Sequence, residues 1–150
     1  MLLPARDQFH VGIVVDDLDA ARNLLTEIAG YEWGPDMQLE YTMLMPSGPI
    51  TFAQHLCYSI TEPRLELVRS AKGTPLQPSP SGLHHLGYWC GDVGRTSAAL
   101  AATGWAWECG GTLPDGSPAW AYHLRPGHVR IELVSTALKA GLESLWRSTG

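Results

Sequence analysis

The sequence predicts an α+β fold made of two copies of a βαβββ unit, and three observations predict it. A ten-residue segment at 9–18 recurs at 84–93 with the same pattern of histidine, glycine and aspartate. Each copy is followed by a segment with helical spacing of its apolar residues. Each half then ends on an Arg-apolar-Glu-Leu-Val strand, at 64–68 and at 130–134. A chain of 150 residues is long enough for both copies to share one domain.

The first element of each half is predicted to be a strand. The two segments match at a histidine, the apolar residue after it, a glycine and a later Asp-apolar pair. Both are rich in β-branched or aromatic residues, which favour strands. Each ends at an aspartate suited to capping a helix.

A helix follows in each half. In the first half, Gly30 stands where a left-handed C-cap ends the helix. The apolar residues of that helix recur at helical spacing and are Leu18, Ala21, Leu24, Leu25 and Ile28. In the second half, 93–103 is rich in alanine, with Leu100 on the apolar stripe and Gly104 as the stop.

The other strands complete the two repeats, which span approximately 7–70 and 83–135. Candidate strands at 40–45 and 51–58 in the first half match those at 105–109 and 119–124 in the second. Glycine and proline between them indicate turns. The Gly- and Pro-rich stretch 71–82 is predicted to be a linker, and 136–147 a short amphipathic helical tail.

Composition excludes several function classes. The net charge of −5, with no clustered cations, argues against a nucleic-acid partner. The odd number of cysteines, without a C-x-x-C pair, favours three reduced thiols, Cys57, Cys90 and Cys109. The first residues lack the apolar stretch of a signal peptide, and no run reaches the ~20 apolar residues of a membrane helix. We therefore expect a cytoplasmic protein without membrane contact.

Four polar residues stand out because strand side chains alternate between faces. His10 lies opposite the face of Val11, Ile13 and Val15, and Glu66 opposite that of its flanking leucines. His85 and Glu132 repeat this arrangement in the second half. A carboxylate in the middle of a buried strand is costly unless it is paired or binds a metal. Two imidazoles and two carboxylates suit Zn, Ni, Co, Mn or Fe(II), so these four residues are predicted to bind one divalent ion.

The pattern resembles the vicinal oxygen chelate superfamily, through the segments F-H-V-G-I-V-V-D-D-L and H-H-L-G-Y-W and the two E-L-V strands. That superfamily includes glyoxalase I, methylmalonyl-CoA epimerase, extradiol dioxygenases and bleomycin-resistance proteins. The resemblance implies a half-open, curled β-barrel around the metal. It also implies a small-molecule substrate whose neighbouring oxygens chelate the ion, and enolate-type proton transfer next to a carbonyl. By position, Glu132 would move the proton, with Glu66 as its counterpart.

The resemblance leaves the activity open. The epimerase-like, glyoxalase-like group is most similar, which implies a metal-dependent isomerase, epimerase or lyase. The four-residue set itself matches a glyoxalase I-like lyase acting on a thiol hemiacetal, since the epimerase usually has Gln where Glu66 stands. A non-catalytic, resistance-type binding protein and an extradiol-type dioxygenase are also compatible with the resemblance.

Further residues are candidates for the substrate pocket. Trp89 shares the face of His85 and is expected to form an apolar wall, while Glu40 and Tyr122 are weaker candidates. His84 is adjacent to His85, so we expect it on the opposite face with a structural role. Alternation alone does not choose among the remaining residues that could line the pocket, which are Tyr41, His55, Tyr58 and His123. Low charge content, many tryptophans and sheet edges favour a homodimer.

Overall fold

The structure is a computed structural model that describes residues 1–147. The strands are β1 (Gln8–Val15), β2 (Met37–Met43), β3 (Ile50–Tyr58), β4 (Leu65–Arg69), β5 (His85–Cys90), β6 (Ala106–Thr112), β7 (Pro118–Leu124) and β8 (Arg130–Ser135). The helices are α1 (Leu18–Ala29), α2 (Val93–Ala102) and α3 (Lys139–Arg147), with short 3₁₀ helices at Ala5–Asp7 and Thr136–Leu138. Each half of the chain therefore has the order strand, helix and three strands.

All eight strands form one mixed sheet in the order β2-β3-β4-β1-β5-β8-β7-β6. Within the halves, β1 pairs with β4 and β5 with β8, both in parallel. The halves join at the centre through the antiparallel pair β1 and β5. At the two edges, Leu44 and Gly110 exchange backbone hydrogen bonds of 2.8 and 3.0 Å. The sheet is thus curled into a nearly closed barrel, and the predicted α+β fold class is confirmed.

The helices begin where the aspartates predict. Asp17 Oδ1 accepts a hydrogen bond from Ala20 N, and Asp92 Oδ1 accepts one from Arg95 N, each at 2.9 Å. These contacts satisfy backbone donors that the first turn of a helix leaves unpaired. Gly30 ends α1 with φ of 69°, which glycine adopts without steric cost.

The core lies in three apolar layers. Leu18 and Leu67 belong to the layer under α1, and Leu100 and Leu133 to the layer under α2. The third layer fills the concave side of the sheet. There α3 packs its apolar face inward through Leu142, Leu145 and Trp146, next to Leu138 of the preceding 3₁₀ helix. All three cysteines are buried, free thiols.

Strand β2 begins and ends earlier than the predicted 40–45, and two further segments, the linker and β6, also differ from expectation. The linker 71–82 is not wholly solvated, because Leu76 is 1% exposed within the concave layer. Strand β6 continues through Gly110 and Gly111 to Thr112, beyond the predicted end at Cys109. These glycines do not interrupt pairing; a Cβ on Gly110 would lie 2.6 Å from the Trp120 carbonyl oxygen, so close strand packing requires glycine there.

The helices are short. The longest that the structure describes, α1, has 12 residues. Within residues 1–147 no helix has the length and apolar character needed to cross a membrane.

Candidate metal centre

Four side chains from the four central strands converge on the concave side of the sheet. They are His10 on β1, Glu66 on β4, His85 on β5 and Glu132 on β8. Each offers one ligand atom, and these atoms all lie within 4.8 Å of one another. All four are buried. The structure therefore brings together the residues that the sequence predicts as metal ligands.

Strand register explains why these positions meet. His10 lies opposite Gly87 across the central pair, and Gly87 is the partner of Glu132 on the next strand. His85 lies opposite Gly12, which is the partner of Glu66. Each histidine thus lies over a glycine of the other half, with a glutamate on the following strand.

The two glycines make room for the histidine rings. A Cβ on Gly12 would overlap the imidazole of His85, and a Cβ on Gly87 would overlap that of His10. The glycine of each His-x-Gly motif therefore positions the histidine of the opposite half. This role of the repeated glycine could not be predicted, because alternation along one strand says nothing about contacts across strands.

The contacts within the cluster centre on the Nε2 atoms. His10 Nε2 lies 3.0 Å from His85 Nε2, 3.1 Å from Glu66 Oε2 and 3.0 Å from Glu132 Oε2. His85 Nε2 lies 3.2 Å from Glu132 Oε2. Glu132 therefore contacts both histidines and Glu66 contacts His10.

Contacts within the cluster shift the pKa values of His10 and Glu132. Burial by itself lowers the pKa of His10, but the charge of Glu66 and the contacts with both carboxylates outweigh burial and raise that pKa to about 9. Burial raises the pKa of Glu132, but the charge of His85 and the contacts with both imidazoles bring it down to about 2. At neutral pH a protonated His10 thus partly balances the carboxylates.

His84 fixes the orientation of His85. Its Nε2 lies 2.8 Å from the Pro75 carbonyl oxygen, which accepts the Nε2 proton. Burial, with the nearby charges of His85 and Arg130, lowers the pKa of His84 to about 3, so the ring is neutral and its Nδ1 is an acceptor. His85 Nδ1, 2.8 Å away, then donates to it, which turns His85 Nε2 toward the cluster.

This geometry corrects the expectation for His84. Its ring does not lie on the far face of the sheet, since it contacts both His85 and Tyr122. The reason is that β5 begins at His85, so the alternation of a strand does not apply one residue earlier.

The donor set fits a divalent cation. Glu132 Oε2 is buried and, among residues 1–147, has no well-directed hydrogen-bond partner, although two imidazole nitrogens are close. Two carboxylates in a buried site need compensating positive charge, and a divalent ion would balance both. Nitrogen and oxygen donors in this ratio suit Zn, Ni, Co, Mn or Fe(II).

Metal affinity is expected to rise with pH. Because the pKa of His10 is about 9, metal binding at neutral pH must displace its proton. The apparent affinity should increase about tenfold per pH unit from about pH 7 to about pH 9 and then level off. Competition with a chromophoric chelator, using Mn²⁺ or Co²⁺, measures it. An affinity that stays constant over this range would show that His10 is neutral in the metal-free protein.

Removal of any one ligand is expected to lower metal content sharply. Four-ligand zinc sites bind with about 10–16 kcal/mol, so the loss of one ligand should weaken binding about a hundredfold or more. The core layers under α1 and α2 lie on the other face of the sheet, so the variants should stay soluble. Elemental analysis after purification without chelator tests His10→Ala, Glu66→Ala, His85→Ala and Glu132→Ala. Full occupancy in all four would contradict the assignment.

Two tyrosines flank the cluster in matching positions. Tyr58 on β3 pairs in register with Glu66, and Tyr122 on β7 pairs with Glu132. The Tyr58 ring lies edge-on to His10, with 5.7 Å between centroids, and the Tyr122 ring lies 5.0 Å from that of His85. Burial, together with the two carboxylates, raises the pKa of both tyrosines well above the usual value. Both therefore remain protonated.

An aromatic wall adjoins the cluster. Trp89 is buried and stacks on Phe9 with 3.7 Å between ring centroids. Phe9 itself packs edge-on against His10. Alternation would direct Phe9 away from His10, but a register shift between Gln8 and His10 brings its ring to the same side. Trp89 lies in this wall, whereas the position of Phe9 could not be predicted, because such a bulge has no sequence signal here.

Other candidate residues lie elsewhere. The structure does not bring Glu40 to the cluster: its side chain is exposed, and Tyr41, its neighbour on β2, packs against the concave layer. Tyr41 accepts a hydrogen bond from the Trp120 indole. His55 lies beside Asp36, 3.4 Å away. His123 faces α2, where its Nε2 lies 2.7 Å from Ser97 Oγ.

A family model matches most of the chain. The model described as the glyoxalase/bleomycin resistance protein/dioxygenase superfamily matches residues 9–122. None of the curated protein sequences matches the chain significantly.

Solved structures share the fold at low sequence identity. A variant of the Streptomyces coelicolor methylmalonyl-CoA epimerase in complex with 2-nitronate-propionyl-CoA has 19% identity and a TM-score of 0.54, with 87% of this chain and 97% of that chain covered. The methylmalonyl-CoA epimerase of Mycobacterium tuberculosis has 18% identity and a TM-score of 0.56, with 93% of each chain covered. A mutant 4-hydroxymandelate synthase from Streptomyces coelicolor has 17% identity and a TM-score of 0.54, with 86% of this chain but 38% of that chain covered.

Proposed function

The chain belongs to the glyoxalase/bleomycin resistance protein/dioxygenase superfamily, and we propose that it is a metal-dependent isomerase, epimerase or lyase. Its reaction would be an enolate-type proton transfer next to a carbonyl group of a small metabolite. The observation that carries this proposal is the buried cluster of two histidines and two glutamates. A protein that only sequesters a small molecule has no need for two buried carboxylates at one point.

The proposed ligands are His10, Glu66, His85 and Glu132. They would hold a divalent ion, which when bound would supply a Lewis acid that favours negative charge on a carbonyl oxygen. His84 holds the His85 ring with Nε2 toward the cluster, by accepting a hydrogen bond from His85 Nδ1. Tyr58 and Tyr122 stay protonated, and with the aromatic wall they keep water away from the cluster.

A carboxylate of the cluster would move the proton. Glu132 is the better candidate, because its Oε2 contacts both histidines and its side chain is 10% exposed, against 5% for Glu66. Its low pKa keeps it ionised at neutral pH, so it is available as a base. It would accept the proton from the acidic carbon and return it, while Glu66 serves as its counterpart on the other half.

Solvent exchange tests the proposed reaction. A panel of carbon acids, including a 2-substituted acyl thioester and an α-hydroxyketone, is incubated with metal-loaded protein in D₂O. We expect deuterium to enter at the acidic carbon, because proton removal precedes the step that determines the product. Exchange should stop when the metal is stripped with a chelator and resume when it is restored.

Each competing function predicts a different result. The thiol hemiacetal of glutathione and methylglyoxal, included in the panel, should react if the chain is a glyoxalase I-like lyase. Oxygen consumption with Fe(II) and a catechol would favour an extradiol-type dioxygenase. Ligand binding without exchange across the panel, with metal demonstrably bound, would favour a non-catalytic, resistance-type protein.

Self-association stays a prediction. Exposed apolar side chains lie near the two edge strands of the sheet, at Leu39 and Leu44 beside β2 and at Trp107 on β6. A homodimer would cover such residues, and sedimentation in solution would detect it.

A further inference from the structure

A cavity of about 570 Å³ lies beside the proposed metal centre, and His10 forms part of its wall. Ligand pockets for small molecules typically enclose about 300–1,000 Å³, so this one can hold a metabolite of ordinary size. Strands β1 and β5 and the loop before β4 form one side, through Phe9, Trp89 and Arg64. Helix α3 forms the other side.

The charge of this cavity is opposite to that of the chain. Four cationic side chains line it, against two carboxylates, Glu62 and Glu143. The cations are Arg6, Arg64, Lys139 and Arg147. Because the whole chain has a net charge of −5, an excess of two positive charges around one cavity marks a local field that attracts anions.

Three aromatic rings form an apolar wall within the cationic rim. Phe9 and Trp89 are stacked with nearly parallel planes, 9° apart, and Trp146 of α3 lies 5.8 Å from Phe9. The guanidinium of Arg64 lies 3.9 Å above the Trp146 ring, and Lys139 Nζ lies 5.7 Å from the Trp89 ring. A flat apolar group would pack on such a wall while the cations remain near its charged end.

A buried donor in the wall also points to an oxygen-bearing ligand. Trp146 is 9% exposed, and within residues 1–147 its Nε1 has no hydrogen-bond partner. Buried indole N–H groups normally have an acceptor, and an unsatisfied one costs free energy. Because that atom is shielded from solvent, a carboxylate or phosphate oxygen in the cavity would supply the acceptor after a small shift of the side chains around it.

We infer that this cavity binds the non-reacting part of the substrate, and that it selects an organic anion carrying a flat apolar group. The inference rests on the proposed function for its use of the neighbouring centre. The metal centre would hold the reacting oxygens, and the cationic rim with Trp146 would hold the anionic end. The substrate class is therefore an anionic carbon acid with a carboxylate or phosphate group remote from the reacting carbon.

Calorimetric titration with three probes of one shape tests the inference. Naphthoate and naphthyl phosphate carry the ring and an anion, whereas naphthamide is the neutral counterpart. Hydrogen bonds to a charged group contribute about 1.5–3 kcal/mol, so at least one anion should bind about tenfold or more tightly than naphthamide. The tighter of the two anions identifies the group. Equal binding of all three probes would overturn the inference.

Variants in the rim and wall locate the binding. The double variant Lys139→Gln/Arg147→Gln should weaken the binding of the tighter anion about three- to tenfold and leave naphthamide unchanged, since exposed charge pairs contribute about 0.2–1 kcal/mol each. Trp146→Phe keeps an aromatic ring and removes the donor, so it should weaken that anion about fivefold or more. Full retention of anion affinity in either variant would overturn the inference.

A matched control separates local from general electrostatics. Arg69→Gln/Lys72→Gln removes the same charge from two exposed side chains outside the cavity. Its anion affinity should stay within about twofold of the parent, because salt screens exposed charges that do not line the cavity. An equal loss in both double variants would mean that only the net charge matters, which would also overturn the inference.

The titrations are made with metal-loaded and with metal-stripped protein, so that the two proposals fail separately. Selective anion binding without any proton exchange would leave the cavity assignment standing and remove the proposed reaction. Proton exchange on neutral carbon acids, with no preference for anions, would support the proposed reaction and remove the cavity assignment.

Discussion

Glu132→Gln is expected to abolish turnover far more thoroughly than it weakens metal binding. The amide oxygen can still contact the cluster, but an amide cannot accept a proton at neutral pH. Loss of a general base typically costs about 10²- to 10⁴-fold in rate. Metal content should fall by a much smaller factor, as measured by elemental analysis on the same preparation used for exchange in D₂O.

Glu66→Gln is the matched control for this result. It makes the same chemical change at the equivalent position of the other half, beside His10 but without the contact to His85. We expect its exchange rate to follow its metal occupancy. A Glu132→Gln protein whose activity falls only in proportion to its metal content would contradict the role of Glu132 as the base.

Alanine at Gly12 or Gly87 is expected to disrupt the centre about as severely as loss of a histidine. The added Cβ would overlap an imidazole of the other half, so His85 or His10 must move out of the cluster. Metal affinity should fall about a hundredfold or more, as for removal of a ligand. Overpacking at a buried site should also lower the free energy of unfolding by about 1–3 kcal/mol.

Gly91→Ala provides the comparison for these variants. Gly91 follows β5 closely, but a Cβ there meets open space and its φ is ordinary. We expect parental metal affinity and a thermal midpoint close to that of the parent. If Gly12→Ala and Gly87→Ala also kept full metal affinity, the cross-strand role of the two glycines would be wrong.

Much of the fold was predictable because the same sequence pattern occurs in both halves of the chain. The capping aspartates Asp17 and Asp92 and the face of each strand follow from local chemistry that acts within a few residues. The four cluster residues were also predictable, since each half has a histidine in its first strand and a glutamate flanked by apolar residues in its last strand. One histidine and one glutamate in a strand are a weak indication of a metal site, but their recurrence in both halves makes the indication specific.

What the sequence did not predict depends on contacts between distant segments. Phe9 faces the site because of a bulge against β5, and Trp146 lines the cavity because α3 folds back onto the concave side. His84 was assigned to the wrong side because the start of β5 sets its direction. Periodicity carries no information on where a strand begins to the nearest residue, nor on which helix covers which face.

The contact between Pro75 and His84 limits where a peptide or tag can be inserted between the two halves of the chain. Loops rich in glycine and proline usually accept insertions, and the segment between the two halves would be chosen for a tag by composition alone. Its first part is unsuitable, because Leu76 is buried in the core and the Pro75 carbonyl holds His84, which in turn orients His85. Its second part, around Pro80 to Gly82, is exposed and makes no contact with the cluster in the described chain. A fluorophore or affinity peptide placed there should report on the protein without altering its affinity for metal.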